Sequence, residues 1–232
     1  MKKMILAVAA LAAGVSASAQ DASNASSLAV SLDVTYVSDY VFRGAKLADA
    51  SIQPSIEASY GDFYAGVWYS DAISQNNATA TFDSEADLYL GYTRPITEIF
   101  SADLGVTRYT YNGGSQGDTT EVSAGIKTNL LLSPSVYYYY DFDLEVSSYI
   151  GSIGYKLPIP KLGVSLDFSA ILGYVQIPGN DYTYWGAGVA LPYQVSDTAK
   201  LTLGVNYTSV DDKNLNPDQD QVVFFLGLSV GF

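Results

Sequence analysis

Phe225-Leu226-Gly227-Leu228-Ser229-Val230-Gly231-Phe232 alternates residue by residue. Leu226, Leu228, Val230 and Phe232 fall on one face of a strand, and Gly227, Ser229 and Gly231 fall on the other. A closing strand that is apolar on one side, small or polar on the other, and ends on an aromatic residue fits a bacterial outer-membrane barrel. There the apolar face meets lipid and the other meets a lumen.

The opposite terminus agrees. Lys2 and Lys3 precede an apolar stretch from Met4 to Val15, and Ala17-Ser18-Ala19 offers small residues for cleavage. Residues 1–19 are read as a secretory signal, 20–27 as a polar periplasmic lead and 28–232 as the barrel domain. The signal is too short to span a bilayer as a helix, and no later apolar run approaches the roughly 20 residues required. Location in the outer membrane of a Gram-negative cell is the expectation.

Turn residues divide the remainder into twelve strand-like segments. They are Leu28–Phe42, Ile52–Tyr60, Phe63–Ser70, Glu85–Arg94, Phe100–Tyr111, Thr119–Thr128, Ser135–Asp141, Ser147–Lys156, Leu162–Tyr174, Tyr182–Leu191, Ala199–Val210 and Gln221–Phe232. The fourth shows the pattern: Ala86, Leu88, Leu90 and Tyr92 alternate with Glu85, Asp87, Tyr89, Gly91 and Thr93. Segments of about ten residues suit tilted strands crossing a bilayer. An even count returns both termini to one side. If Ser135–Asp141 and Ser147–Lys156 are misread, ten strands remain. The predicted fold is therefore all-β, an antiparallel up-and-down membrane barrel. A soluble β-sandwich also yields short alternating strands, but it does not call for aromatic residues at both strand ends.

The connections alternate too. Gly61-Asp62, 95–99, 130–134, 157–161 and 192–198 are compact, and 70–84, 112–118, 177–181 and 211–220 are mostly longer and rich in Gly, Asn and Asp. Short turns inside the cell envelope and longer loops outside are the expected asymmetry.

Composition limits the chemistry. The 232 residues contain no Cys and no His, so disulfides, thiolate or imidazole metal sites and histidine-based catalysis are all excluded. A carboxylate-only enzyme is the weak remaining option; no cofactor, metal site or catalytic residue is expected. The net charge is −13, which argues against a nucleic-acid partner.

On the inward parity lie Asp33, Glu57, Asp103 and Asp167, with Lys127 and Lys156 nearer the periplasmic end. These are the candidate pore-lining residues. Most other acids fall in the external loops or adjoining strand ends, so the mouth is expected to carry negative charge and to favour cations. Asp39, Arg43, Glu85, Asp87 and Glu121 are its candidate residues. Tyr64, Tyr89, Tyr109, Tyr111, Tyr137, Tyr139 and Tyr184 also take the inward parity. They either guide a flat solute such as a sugar or serve as packing and interface anchors. The function expected is passive diffusion of small solutes or cations, with outer-membrane lipid and lipopolysaccharide as surroundings. The alternative is a plugged barrel acting structurally, or through its acidic loops.

The stretch Tyr36-Val37-Ser38-Asp39-Tyr40-Val41-Phe42-Arg43-Gly44 resembles the opening signature of the TorF-like porin family, also known as Gcw_chp. Gln53-Pro54-Ser55-Ile56 and Gly61-Asp62-Phe63-Tyr64-Ala65-Gly66-Val67-Trp68 continue the likeness. The resemblance implies an outer-membrane barrel and a loosely defined porin role, and it brings no catalytic residues. Continuing the parity of the first strand places Asp39 and Arg43 inward and Tyr40 and Phe42 toward lipid. Residues four apart on a strand are about 13 Å apart, so Asp39 and Arg43 need separate partners. Arg43 is expected to tie the following loop to the rim or narrow the mouth, and Gly44 to permit a sharp exit from the strand.

Overall fold

The computed structural model describes residues 27–73, 83–113, 117–212 and 220–232. The expected signal segment, all but the last residue of the lead, and parts of three long connections lie outside the described residues. The elements are β1 (Ala29–Val37), β2 (Tyr40–Phe42), β3 (Ala45–Ala48), β4 (Ser51–Tyr60), β5 (Phe63–Ala72), β6 (Ser84–Pro95) and β7 (Phe100–Asn112). They continue as β8 (Thr119–Thr128), β9 (Ser135–Asp141), β10 (Val146–Ile159), β11 (Val164–Ile177), β12 (Asn180–Gln194), β13 (Ala199–Val210) and β14 (Asp220–Gly231).

Twelve of these form a closed antiparallel barrel in which each strand pairs with its neighbours in sequence, and β1 closes the ring between β4 and β14. Both strands of the doubtful pair, the short β9 and the longer β10, belong to the wall, which removes the ten-strand alternative. The closing strand pairs with the first, Leu32 opposite Val230 and Tyr36 opposite Leu226, so residues of like parity share a face. Val30 and Phe232 exchange backbone hydrogen bonds of 3.1 and 2.9 Å, so the terminal residue itself seals the seam.

Register decides which residues face lipid, because a slip by one residue would reverse both faces. Leu88, Leu90, Leu104, Leu172, Leu203 and Phe224 are exposed on the outside. That belt of large apolar side chains suits hydrocarbon and would be costly in water. Inside, aromatic rings lie over glycines of the next strand. Tyr64 stands opposite Gly91 and Tyr89 opposite Gly66. A Cβ on Gly91 would meet the Tyr64 ring at 2.0 Å, and one on Gly66 the Tyr89 hydroxyl at 2.4 Å. The two rings are thus pressed flat on the wall by reciprocal gaps, a device that restores packing where strands lack side chains.

Two expectations change. The first strand ends at Val37 rather than Phe42, and residues 40–48 form a separate two-stranded sheet. Tyr40 and Phe42 do not face lipid; they are 2% and 4% exposed and belong to the buried core. Parity is lost because the chain leaves the wall after Val37, turns inward and buries both of its faces. The β11–β12 connection, expected among the longer loops, is only Pro178-Gly179, since both strands extend past their expected ends.

Candidate functional site

The β2–β3 hairpin occupies the lumen at the end opposite the chain terminus. Its turn, Arg43-Gly44, carries positive φ at both central residues, 43° and 85°. That is the primed geometry matching the twist of a two-residue hairpin. Gly44 accommodates it freely and also permits close approach, since a Cβ there would lie 2.8 Å from Cβ of Tyr184 and 3.2 Å from that of Val210. Arg43 pays a conformational cost of about 1–2 kcal/mol in the left-handed region. A non-glycine residue held there is worth reading functionally when its side chain has a task.

The task is visible. Arg43 Nη1 donates to Glu121 Oε2 at 2.9 Å and to Ser148 Oγ at 2.7 Å, while Nη2 donates to Glu121 Oε1 at 3.0 Å. The guanidinium lies 4.4 Å from the Tyr139 ring centroid and 4.8 Å from that of Phe42. Tyr109 braces the acceptor, donating its hydroxyl to Glu121 Oε1 at 3.1 Å. Burial alone would lower the Arg43 pKa, but Glu121 and the surrounding hydrogen bonds outweigh it and hold the pKa above the ordinary arginine value. The charge is therefore permanent.

Further contacts reach around the wall. Tyr40 donates to Glu85 Oε2 at 2.8 Å and its ring lies 5.6 Å from Trp68. At the base of the hairpin, Lys46 pairs with Asp39 and, at 2.8 Å, with Asp49. Ser38 N donates to Phe224 O at 2.9 Å, tying the entry of the hairpin to β14. Every one of the twelve wall strands contributes at least one buried inward side chain at this end, among them Val37, Ser51, Ser70, Val146, Val175 and Val223. The hairpin therefore fills this half of the lumen.

Toward the terminal end the interior is less filled. Asp33, Glu57, Asp167, Tyr64 and Tyr89 line it half-buried, and Asp103 is buried in the wall. Asp33 accepts from the Ser229 hydroxyl, and Glu57 accepts from Tyr89 at 3.1 Å. Asp103 accepts from Thr93, from Tyr64 at 3.3 Å and from Lys127 at 3.2 Å. Asp167 accepts from Ser165 at 2.7 Å and stands opposite Lys156, which is exposed near the rim.

The five residues expected at the mouth therefore divide. Asp39 sits at the hairpin base and Arg43 at its turn, whereas Glu85, Asp87 and Glu121 stand on the surrounding wall; the last four are buried, at most 7% exposed. The inward tyrosines divide as well. Tyr64, Tyr89 and Tyr137 lie half-buried toward the terminal end, and Tyr109, Tyr111, Tyr139 and Tyr184 pack at the level of the hairpin. Ser148, Trp68 and Phe42 were absent from the sequence reading of the site. Only the apolar content of Ala45, Leu47 and Ala48, in what should be a polar loop, hinted at them.

A closed antiparallel barrel with an outward apolar belt is the architecture of a membrane-spanning β-barrel. The chain belongs to the Gcw_chp family, described as bacterial proteins of unknown function, whose profile matches residues 21–225. Among solved structures it is similar to the KdgM porin, at 15% identity and a TM-score of 0.60, covering 87% of this chain and 99% of that one. A second KdgM structure is a complex with disordered oligogalacturonate. The COG4313 outer membrane channel from Pseudomonas putida F1 is similar at 11% identity and a TM-score of 0.61, covering 92% and 98%. The NanC porin is similar at 13% identity and 0.57, covering 86% and 98%. At these identities the likeness is one of fold. Comparison with curated protein sequences gives no match.

Proposed function

We propose that this protein is an outer-membrane diffusion channel for small neutral or cationic solutes, held shut at its outer end by the β2–β3 hairpin. The observation that carries the reading is the unequal filling of the lumen. One half is packed around a single latched loop, while the other is lined by hydroxyls, tyrosines and the carboxylates Asp33, Glu57 and Asp167. In this reading the terminal end faces the periplasm and the long loops face outward, as the alternation of connection lengths supports.

The preference follows from charge. Oligogalacturonate, the molecule in one KdgM complex, is a polycarboxylate. This chain carries 24 acidic residues against 11 basic ones, and its buried lumen acids outnumber the cations beside them. An acidic, low-dielectric passage concentrates cations and repels polyanions. The filled outer half also supports a second reading, a closed barrel acting structurally.

Single-channel recording from purified protein in a planar bilayer under a KCl gradient separates the two. The channel reading expects rare, brief openings for the wild type, frequent openings for Arg43→Ala, and a cation-selective reversal potential in both. An anion-selective reversal potential overturns the preference. Folded, inserted protein that passes no current in either form supports the closed barrel.

A further inference from the structure

We propose that the wall pocket holding Arg43 is a binding site for guanidinium-bearing solutes, with Arg43 as its built-in occupant, so that such a solute displaces the hairpin and opens its own path. The inference rests on the channel reading above and names the solute class that the same site would admit.

The pocket belongs to the wall. Glu121 comes from β8, Tyr139 from β9, Ser148 from β10 and the bracing Tyr109 from β7. Together they give a guanidinium a forked carboxylate at 2.9 and 3.0 Å, a hydroxyl at 2.7 Å and an aromatic face at 4.4 Å. Of the contacts described, only the Phe42 ring is lost when the hairpin leaves. A fork with an aromatic floor is selective, because a planar guanidinium satisfies both at once and a compact ammonium cannot. Withdrawal of Arg43 without replacement would strand Glu121 as a buried, uncompensated charge. A mobile guanidinium removes that penalty.

The neighbourhood has room for more positive charge. Glu85 and Asp87 are 0% and 3% exposed, and Glu85 Oε1 and Asp87 Oδ1 have no hydrogen-bond partner. The nearby Lys46 is engaged by Asp39 and Asp49. The described hydrogen bonds of Arg43 go to Glu121 and Ser148, so a solute with a second cationic group finds carboxyl oxygens of Glu85 and Asp87 that Arg43 leaves unused. The occupant is also imperfectly seated: its φ of 43° is strained, and its buried Nε has no partner. An external ligand with neither constraint competes on favourable terms.

Trp68, whose ring is 5.6 Å from that of Tyr40, reports hairpin position independently of any current. The protein has two tryptophans, and the lipid-facing Trp185 can be replaced by Phe to leave Trp68 alone. Refolded full-length Trp185→Phe protein is titrated with agmatine, a guanidinium with a second cationic group. Tetramethylammonium and neutral urea serve as controls at fixed ionic strength.

A saturable change in Trp68 emission is expected for agmatine, at a concentration at least about tenfold lower than for tetramethylammonium. Urea should give none. Glu121→Gln should abolish the response, and Arg43→Lys, a poorer occupant, should shift the agmatine midpoint downward. Equal responses to agmatine and tetramethylammonium, a response that survives Glu121→Gln, or no saturable response overturns the proposal. Recording Arg43→Ala in bilayers keeps the two readings apart. Agmatine binding without current fails the channel and keeps the pocket; current without agmatine binding fails only the pocket.

Discussion

Arg43 and Glu121 stand 78 positions apart in the chain and meet through two parallel hydrogen bonds of 2.9 and 3.0 Å, their side chains 4% and 3% exposed. Docking the hairpin fixes the backbone and side chains of residues 40–48, so it stays docked only if its contacts outweigh that ordering cost. Removing one partner of a buried pair costs about 3–5 kcal/mol, because the other charge is left without compensation. Arg43→Ala and Glu121→Ala should each speed amide hydrogen exchange across residues 40–48 by about two to three orders of magnitude. The double variant should lose less than the sum of the two. Unchanged exchange in both single variants would show that the apolar contacts of Tyr40, Phe42 and Leu47 hold the hairpin unaided.

Tyr64 over Gly91 gives a prediction about the wall itself. A methyl group on Gly91 would fall 2.0 Å from the ring and cannot be accommodated without moving it. Gly91→Ala should cost about 1–3 kcal/mol, the usual penalty for overpacking. Urea unfolding in lipid vesicles measures it. Tyr64→Ala should restore most of the loss in the double variant. Additive losses would mean that the strand backbone, not the ring, is what Gly91 serves.

The barrel was legible because alternation over whole strands carries one message many times. Phe225 to Phe232, Glu85 to Arg94 and ten further segments all oppose an apolar face to a small or polar one, and none needs tertiary information to be read. The hairpin was not legible, because Ser38-Asp39-Tyr40-Val41-Phe42 continues the same alternation while obeying a different rule. A loop that enters a lumen is buried on both faces, so Tyr40 and Phe42 can be apolar without meeting lipid. Arg43-Gly44 between apolar flanks was the available cue, since a residue followed by Gly suits a primed two-residue turn. Glu85, Asp87 and Glu121 were recognised as inward acids. The meeting of Glu121 with Arg43 and of Glu85 with Tyr40 depends on contacts between distant strands that no local pattern encodes.

Lys46 gives the hairpin base a dependence on pH. Burial works against its charge, but hydrogen bonds and ion pairs with Asp39 and Asp49 outweigh that and raise its pKa above the ordinary 10.5. A raised pKa in the docked state means the contribution is complete below the ordinary lysine value and is lost as pH rises through the raised one. Hairpin docking, followed by Trp68 emission, should therefore weaken in strongly alkaline solution and hold at neutral pH. Lys46→Met should dock less firmly at neutral pH and lose that part of the alkaline dependence. An alkaline transition unchanged by Lys46→Met would assign it to other groups.

Glu57 and Lys127 offer opposite changes in the half-open part of the lumen. Glu57 accepts a hydrogen bond from the neutral Tyr89 hydroxyl, whereas Lys127 is exposed and pairs with Asp103. Each substitution removes one unit charge from the same vestibule, but of opposite sign. In an Arg43→Ala background that keeps the path open, Glu57→Gln should move the reversal potential toward zero, and Lys127→Gln should move it further in the cation-selective direction. Both shifts should shrink as salt rises, because the Debye length falls from about 10 Å at 0.1 M to about 3 Å at 1 M. If both substitutions moved the potential the same way, the vestibule charges would not set selectivity. The determinant would then lie at the level of Glu85, Asp87 and Glu121, where Arg43 had been.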